Sequence, residues 1–356
     1  MASTSVRGFE EIPIVDVRPV LGDEPDADFA HQFTDICHHV GFALVTDHGI
    51  DPDLVDEMFD MMHRFFALPV ETKLLIDKNT SPQMRGWEPV GAETTNNEAD
   101  VREQIDAWTD WPIADDPTLP IYHRLYGPNQ WLPDDVLPGH RELSERWITT
   151  LAALADKLMA ALSVGLGLPS SHFRHLFGDR PMSLAKFIHY PPTPAGGAGV
   201  NPHHDAGFLT VLAPGPTPGL QVQNPHGAWI DVPVIDGTFV INLGEMIQSM
   251  SGNYLVATPH RVITREERWS AGYFHGPSLD TELAPLLLHP RFAEAVDASA
   301  HHHGAGFMPT PDEASAGTGA MESAHQPSTY GEQLWNYFSR SYAEPMARHH
   351  GSSIGS

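Results

Sequence analysis

From residue 183 onward the chain breaks into short apolar runs, LAKFIHY, FLTVLAP, LQVQN, AWIDVPV, TFVINLG, LVATPHRVIT and RWSAGYFHGP, with Gly, Pro or Asn between them. Strands so short and so closely spaced leave no room for the crossover helices that a parallel sheet requires. The back half is therefore expected to be a β-sandwich or barrel.

The front half reads differently. IPIVDV (12–17) is a short strand, and Phe29, Phe33, Ile36 and Val40 then recur at three- and four-residue steps, the mark of an amphipathic helix. GFALVTD returns to strand and closes on Asp47, His48 and Gly49. Leu54, Met58, Met61, Met62, Phe65 and Phe66 share one side of a second helix over 52–67, which Pro69 ends. Residues 75–140, rich in Pro, Asn, Asp and Gly, are expected to be loops and short elements wrapped over another layer. The Leu- and Ala-rich stretch over 139–167, closed by Gly and Pro, is the clearest helix. Residues 292–328 keep no period and read as a mobile loop, and TYGEQLWNYFSRSYAEPMARHH as a helix folding back over the barrel mouth. No repeat or linker is visible. One compact unit is expected, with an N-terminal α/β region (1–140) packed on a domain (141–356) that holds the barrel, its long supporting helix and the C-terminal helix.

With 46 acidic against 20 basic side chains the formal charge is -26. Such a field repels phosphate backbones and anionic lipid, so neither nucleic acid nor a membrane is an expected partner. Cys37 is the single cysteine, which excludes an intrachain disulfide and a cysteine metal cluster. A reducing, cytoplasmic setting fits that count, the start of the chain lacks a basic-then-apolar leader, and no uncharged apolar run reaches membrane length. No apolar heptad argues for a dimer, so a monomer is assumed.

The polar residues of NPHHDAGFLTVL carry the chemistry. On a strand His203 and Asp205 project to one side and His204 to the other. Two ligands hold a divalent ion weakly, and His260 in VATPHRVIT is the best third, arriving on a later strand. Two histidines and a carboxylate leave coordination positions open, as non-haem Fe(II) needs for a co-substrate and dioxygen. Zinc uses the same three ligands. What separates the two is RWSAGYF, where Arg268 and Ser270 again share a face and together suit a carboxylate. A charge pair at about 4 Å is worth roughly 4 kcal/mol at an effective dielectric near 20, before desolvation, enough to hold a dicarboxylate by its far end. Its near end, a 2-oxo acid, then chelates the metal.

PHHDAGFLTVL, GLQVQNPHGAWIDVPVIDGTFVINLGE, NYLVATPHRV and RWSAGYFHGP, together with IPIVDV, VGFALVTDHGI, FFALPVETK and RGW, resemble the isopenicillin N synthase-like branch of the 2-oxoglutarate/Fe(II)-dependent dioxygenases. The likeness runs from about residue 11 to 345. It implies a mainly β fold with flanking helices around a double-stranded β-helix (jelly-roll) core. It also implies Fe(II) on His203, Asp205 and His260, and 2-oxoglutarate on Arg268 and Ser270 with Tyr190 donating to it. The expected activity is oxygenation of a small organic molecule from secondary or amino-acid-derived metabolism, by hydroxylation, desaturation or cyclisation, using O2. No protein side chain beyond the metal ligands is required as acid or base. Ile188 stands where many plant members carry Asn, two residues before the tyrosine. The branch also contains oxidases that use no 2-oxoglutarate and turn the Arg-x-Ser pair onto substrate, which is the alternative reading.

Other polar residues have plainer readings. His204 faces outward or supports the ligands, Asn242 and Glu245 satisfy backbone groups at a strand end, and Gln248 reaches the pocket weakly at best. His301, His302 and His303 lie in a Gly/Ala-rich stretch that cannot preorganise a metal shell. Trp87, Trp108 and Trp111 either line a substrate cavity or cap the core, and the stripe Met58, Met61, Met62 is core. Substrate-binding residues are not assigned, and loops 75–115 with Tyr337 and Phe338 are the expected specificity surface.

Overall fold

A computed structural model describes residues 9–95, 98–114, 116–193, 197–299 and 328–351. Its strands are β1 (Ile14–Asp16), β2 (Phe42–Thr46), β3 (Gly86–Glu88), β4 (Thr94–Thr95), β5 (Glu98–Ala99), β6 (Glu103–Trp108) and β7 (Leu184–Tyr190). Then follow β8 (Gly197–His203), β9 (Leu209–Ala213), β10 (Leu220–Gln223), β11 (Trp229–Asp231), β12 (Phe239–Leu243), β13 (His260–Thr264) and β14 (Arg268–His275). The helices are α1 (Ala27–His39), α2 (Pro52–Phe66), α3 (Val70–Lys73), α4 (His140–Gly165), α5 (His172–Phe177), α6 (Glu245–Met250), α7 (Pro290–Ala298), α8 (Tyr330–Ser341) and α9 (Ala343–His350).

An eight-stranded sheet in the order β1-β2-β12-β9-β14-β7-β6-β3 faces a four-stranded sheet in the order β11-β10-β13-β8. The strands are short because each spans only this sandwich, and their two faces bury against different layers. On β2, Phe42 and Leu44 enter the space between the sheets with Ile188, Tyr190, Val200, Val222 and Val262. Ala43 and Val45 turn outward to a second core formed with the helices. Burying a Leu, Val or Phe side chain fully is worth about 1.5–3 kcal/mol each, so this double burial dominates the fold.

The helices follow their sequence signals. Asp26 caps α1 by accepting from the Phe29 amide at 2.9 Å, and Pro52 opens α2 behind Asp51. In α4, Leu143, Trp147, Leu151, Leu154, Leu158 and Leu162 recur every three or four residues and are buried. By length and composition α4 is also apolar enough to cross a membrane, and half of that window is buried inside the fold. It packs against α1 so closely that a Cβ on Gly165 would lie 1.9 Å from Thr34 Oγ1.

Three expectations need correction. The short elements within 75–140 are part of the large sheet and are not merely wrapped over it, since β3 and β6 complete one of its ends, with β6 paired to β7 over its whole length. Trp87 and Trp108 lie on those strands within the core. The stretch read as a loop from 292 begins inside α7, and most of it, with His301, His302 and His303, lies outside the described residues. The C-terminal stretch read as one helix is two, α8 and α9, broken at Tyr342; α8 opens with a capping box between Thr329 and Glu332 and rests Phe338 edge-on against Trp108.

Candidate metal and co-substrate site

β8 ends at His203 and β13 begins at His260, and the ladder between these strands pairs the two residues directly. Register therefore brings together two histidines far apart in sequence. Their ring centroids are 4.3 Å apart. Asp205 follows in the turn after β8, with Oδ1 3.8 Å from His203 Nε2 and 3.6 Å from His260 Nε2. One ligand atom from each residue lies within 4.8 Å of the others.

Each imidazole is oriented by its other nitrogen. Nδ1 of His203 bonds the Asn201 carbonyl at 2.9 Å, and Nδ1 of His260 bonds the Thr258 carbonyl at 3.1 Å. A carbonyl can only accept, so both Nδ1 atoms carry the proton and both Nε2 lone pairs face Asp205. Burial, then the neighbouring His260, pushes the His203 pKa down to about 3, so this ring stays neutral and able to ligate.

Asp205 is held just as firmly. Its Oδ2 accepts from Asn242 Nδ2 at 2.7 Å and from the Thr210 hydroxyl, leaving Oδ1 for the histidines. Burial opposes its charge, but His260, His203 and these two donors outweigh that and lower its pKa. The turn is fastened by the Glu245 amide, which donates to the Asp205 carbonyl at 2.7 Å. A Cβ on Gly244 would meet the Gly207 carbonyl at 2.4 Å, so only glycine lets α6 start this close.

Asn242 therefore does something its sequence reading missed, because it serves the aspartate rather than the backbone. Asn242 stands opposite Thr210 in the β12–β9 ladder, and only that register puts both beside Asp205. Glu245 lies 3.8 Å from His204, and burial followed by the Asp205 charge raises its pKa to about 7. Gln248 is fully buried, accepts from the Ala257 amide at 2.7 Å and serves the backbone there.

On the large sheet, Arg268 is paired in register with Tyr190 and Ser270 with Ile188. Arg268 is 1% exposed. Its guanidinium donates from Nη2 to the Pro214 carbonyl at 3.1 Å, and the guanidinium carbon sits 5.0 Å from the Tyr190 ring centre. Its Nε and Nη1 are buried with no protein partner. Ser270 Oγ donates to the Tyr190 hydroxyl at 3.5 Å. Burial lowers the Arg268 pKa, the expected cost of a cation without a counter-charge. Two orphaned N–H directions on a buried cation, beside a serine and a tyrosine hydroxyl, fit a carboxylate. The donor set of two neutral imidazoles and one carboxylate fits Fe(II).

Residues 181–277 match the 2OG-Fe(II) oxygenase superfamily, and residues 12–134 match the family described as non-haem dioxygenase in morphine synthesis N-terminal. The chain is a member of the 2-oxoglutarate/Fe(II)-dependent oxygenase family. Its relatives include the 2-oxoglutarate-dependent dioxygenase frbJ of Dothideomycetidae sp. (strain 11243), 32% identical over 76% of each chain. Another is homoarginine-6-hydroxylase 2-ODD-C23 of Glycine max, 30% identical over 79% of this chain and 90% of that one. The fold is shared with a 2OG-Fe(II) oxygenase family protein from Caulobacter crescentus, at TM-score 0.72 and 24% identity, covering 93% of this chain and 99% of that one. The protein is thus an oxidoreductase that uses Fe(II), 2-oxoglutarate and O2 on a small molecule.

Proposed function

We propose that His203, Asp205 and His260 hold the Fe(II), and that Arg268, Ser270 and Tyr190 receive the distal carboxylate of 2-oxoglutarate. The observation that carries this reading is the convergence of three ligand atoms within 4.8 Å, combined with a buried guanidinium that lacks an anion. Bound together, iron, 2-oxoglutarate and dioxygen supply an oxidant able to take hydrogen from an unactivated C–H bond. The side chains position and shield. Carbonyls behind His203 and His260 fix the ring tautomers, Asn242 and Thr210 fix the carboxylate, and Arg268 neutralises the acid at the far end. Val200, Val222, Val262 and Phe42 give the space between the sheets an apolar side, and the lower local dielectric strengthens these interactions.

The substrate is a small organic molecule, oxidised by hydroxylation, desaturation or cyclisation. The formal charge of -26 supports an enzyme that engages neither nucleic acid nor anionic membranes. A monomer in the cytoplasm is the simplest setting. Residues 1–140 contribute β1, β2, β3 and β6 to the large sheet, which supports one compact unit.

Anaerobic titration with Fe(II) and then 2-oxoglutarate tests the site. A weak visible charge-transfer band is expected, lost in His260→Ala, and needing much more 2-oxoglutarate in Arg268→Gln. Succinate then forms on admission of oxygen. Substrate turnover that continues unchanged without 2-oxoglutarate would instead make the protein an oxidase and turn Arg268 onto the substrate.

A further inference from the structure

The inner face of the large sheet carries a second set of donors. Register sets Glu103 opposite His189, Gln104 opposite Ile188 and Asp106 opposite Lys186. The inward ranks are thus Arg102, Gln104 and Asp106 on and just before β6, Tyr190, Ile188 and Lys186 on β7, and Arg268 and Ser270 on β14. At the β14 end the cation lacks an anion. At the β6 end an anion has been brought in.

That anion is Glu93, on the segment between β3 and β6. Its carboxylate accepts from Lys186 Nζ at 3.1 and 3.0 Å, Arg102 Nη2 at 2.8 Å, Gln104 Nε2 at 2.6 Å and Tyr337 Oη at 3.4 Å. Three of the four donors belong to the β6–β7 wall and one to α8. The small hairpin that follows Glu93, β4 and β5, forms a ladder within itself and is tied to β8 by Asn201 Nδ2, which donates to the Glu98 carbonyl at 3.4 Å. Burial opposes the Glu93 charge, yet Arg102 and Lys186 hold its pKa well below the usual range. Each cation has another partner, Asp100 for Arg102 at 3.0 Å and Asp106 for Lys186 at 3.4 Å. Withdrawal of Glu93 would leave Arg102 on Asp100, Lys186 on Asp106 and Gln104 Nε2 on Glu88 at 2.5 Å, with the place it vacates on all three donors open to another carboxylate. Arg102 Nε and Gln104 Oε1 remain buried without partners even now, one spare donor and one spare acceptor.

The wall adjoins the metal site. Asp100 accepts from the Asn201 amide at 3.2 Å, two residues before His203.

We propose that Arg102, Lys186, Gln104 and Tyr337 form the substrate's carboxylate subsite, which Glu93 fills until the carboxylate of an organic acid substrate displaces it. This rests on the metal and co-substrate reading above. On this wall the acceptors Glu88, Glu93 and Asp106 are each already bonded to a cation, which suits an acid better than an amine.

The test uses full-length enzyme loaded anaerobically with Fe(II) and saturating 2-oxoglutarate. The probes are phenylacetate, hexanoate and benzoate, their primary amides, and phenethylamine, and the readout is perturbation of the charge-transfer band. At least one acid is expected to bind on the order of tenfold more tightly than its amide. Glu93→Gln should strengthen the acids by a similar factor with 2-oxoglutarate affinity unchanged. Lys186→Met should erase the preference while the unperturbed band and far-UV circular dichroism report an intact fold. Acids and amides binding alike in both wild type and Glu93→Gln would overturn the subsite. Tightest binding by the amine, weakened in Glu93→Gln, would overturn it in favour of a cation site. Absence of the band in wild type would instead sink the metal reading.

Discussion

The two oxygens of Asp205 have different duties. Oδ1 faces the two imidazoles, while Oδ2 is taken by Asn242 and Thr210. Without those donors the carboxylate is free to rotate, and its second oxygen loses its partners in a buried site. Asn242→Ala and Thr210→Val are each expected to weaken iron binding by about 10–100-fold, the usual consequence of losing a partner that orients a ligand. Anaerobic Fe(II) titration measures this directly, and a double variant with undiminished iron affinity would refute the role. Asp205 lies in the turn after β8 and His260 meets His203 only through the β13–β8 register, so strand alternation, which puts residues two apart on one face, made only the pair Arg268 and Ser270 directly legible. Asn242 was not, because its partner comes from the β12–β9 register.

At the level of elements, the contact between α1 and α4 depends on a missing side chain. Gly165→Ala would gain about 1 kcal/mol of helix propensity. It would also place a methyl against Thr34 Oγ1 and within 2.5 Å of the Ala30 carbonyl, where overpacking costs roughly 1–3 kcal/mol. A net loss of stability is expected, read as a lower urea midpoint, and an unchanged midpoint would mean the helices yield easily. β6 shows the opposite limit of pattern reading. EQIDAW is buried throughout, yet Gln104 and Asp106 face the charged interior wall while Glu103 meets Lys73 and Trp87 on the other side. Polar residues on both faces erase the alternation by which a strand is found, so this stretch read only as part of a region of loops and short elements.

For the molecule as a whole, burial links stability to pH. His140 lies between Phe65 and Trp131, accepts the Leu132 amide on Nδ1, and is pushed by burial down to a pKa of about 4. The unfolded chain takes up that proton first, near pH 6.5. Its contribution is therefore complete above about pH 6.5 and lost as pH falls toward 4, roughly 3 kcal/mol in all. Because the first 140 residues share the large sheet, thermal unfolding of the metal-free protein is expected as one transition whose midpoint drops over this window. His140→Asn, which keeps an acceptor but does not titrate, should flatten the drop between pH 7 and 4.5, and an identical profile would exclude His140 as a source.

The sequence by itself determined the local matters: the helices of the front half, the run of short strands behind them, and a set of side chains whose chemistry suits a metal and a carboxylate. Those follow from periods of 3.6 and 2, which act within a few residues. Only the tertiary structure decided which strands pair, and so which distant groups meet: His203 with His260, Asn242 with Asp205, Glu93 with Arg102 and Lys186. Register is set by the packing of both sheet faces at once, a property that no single segment of the chain possesses.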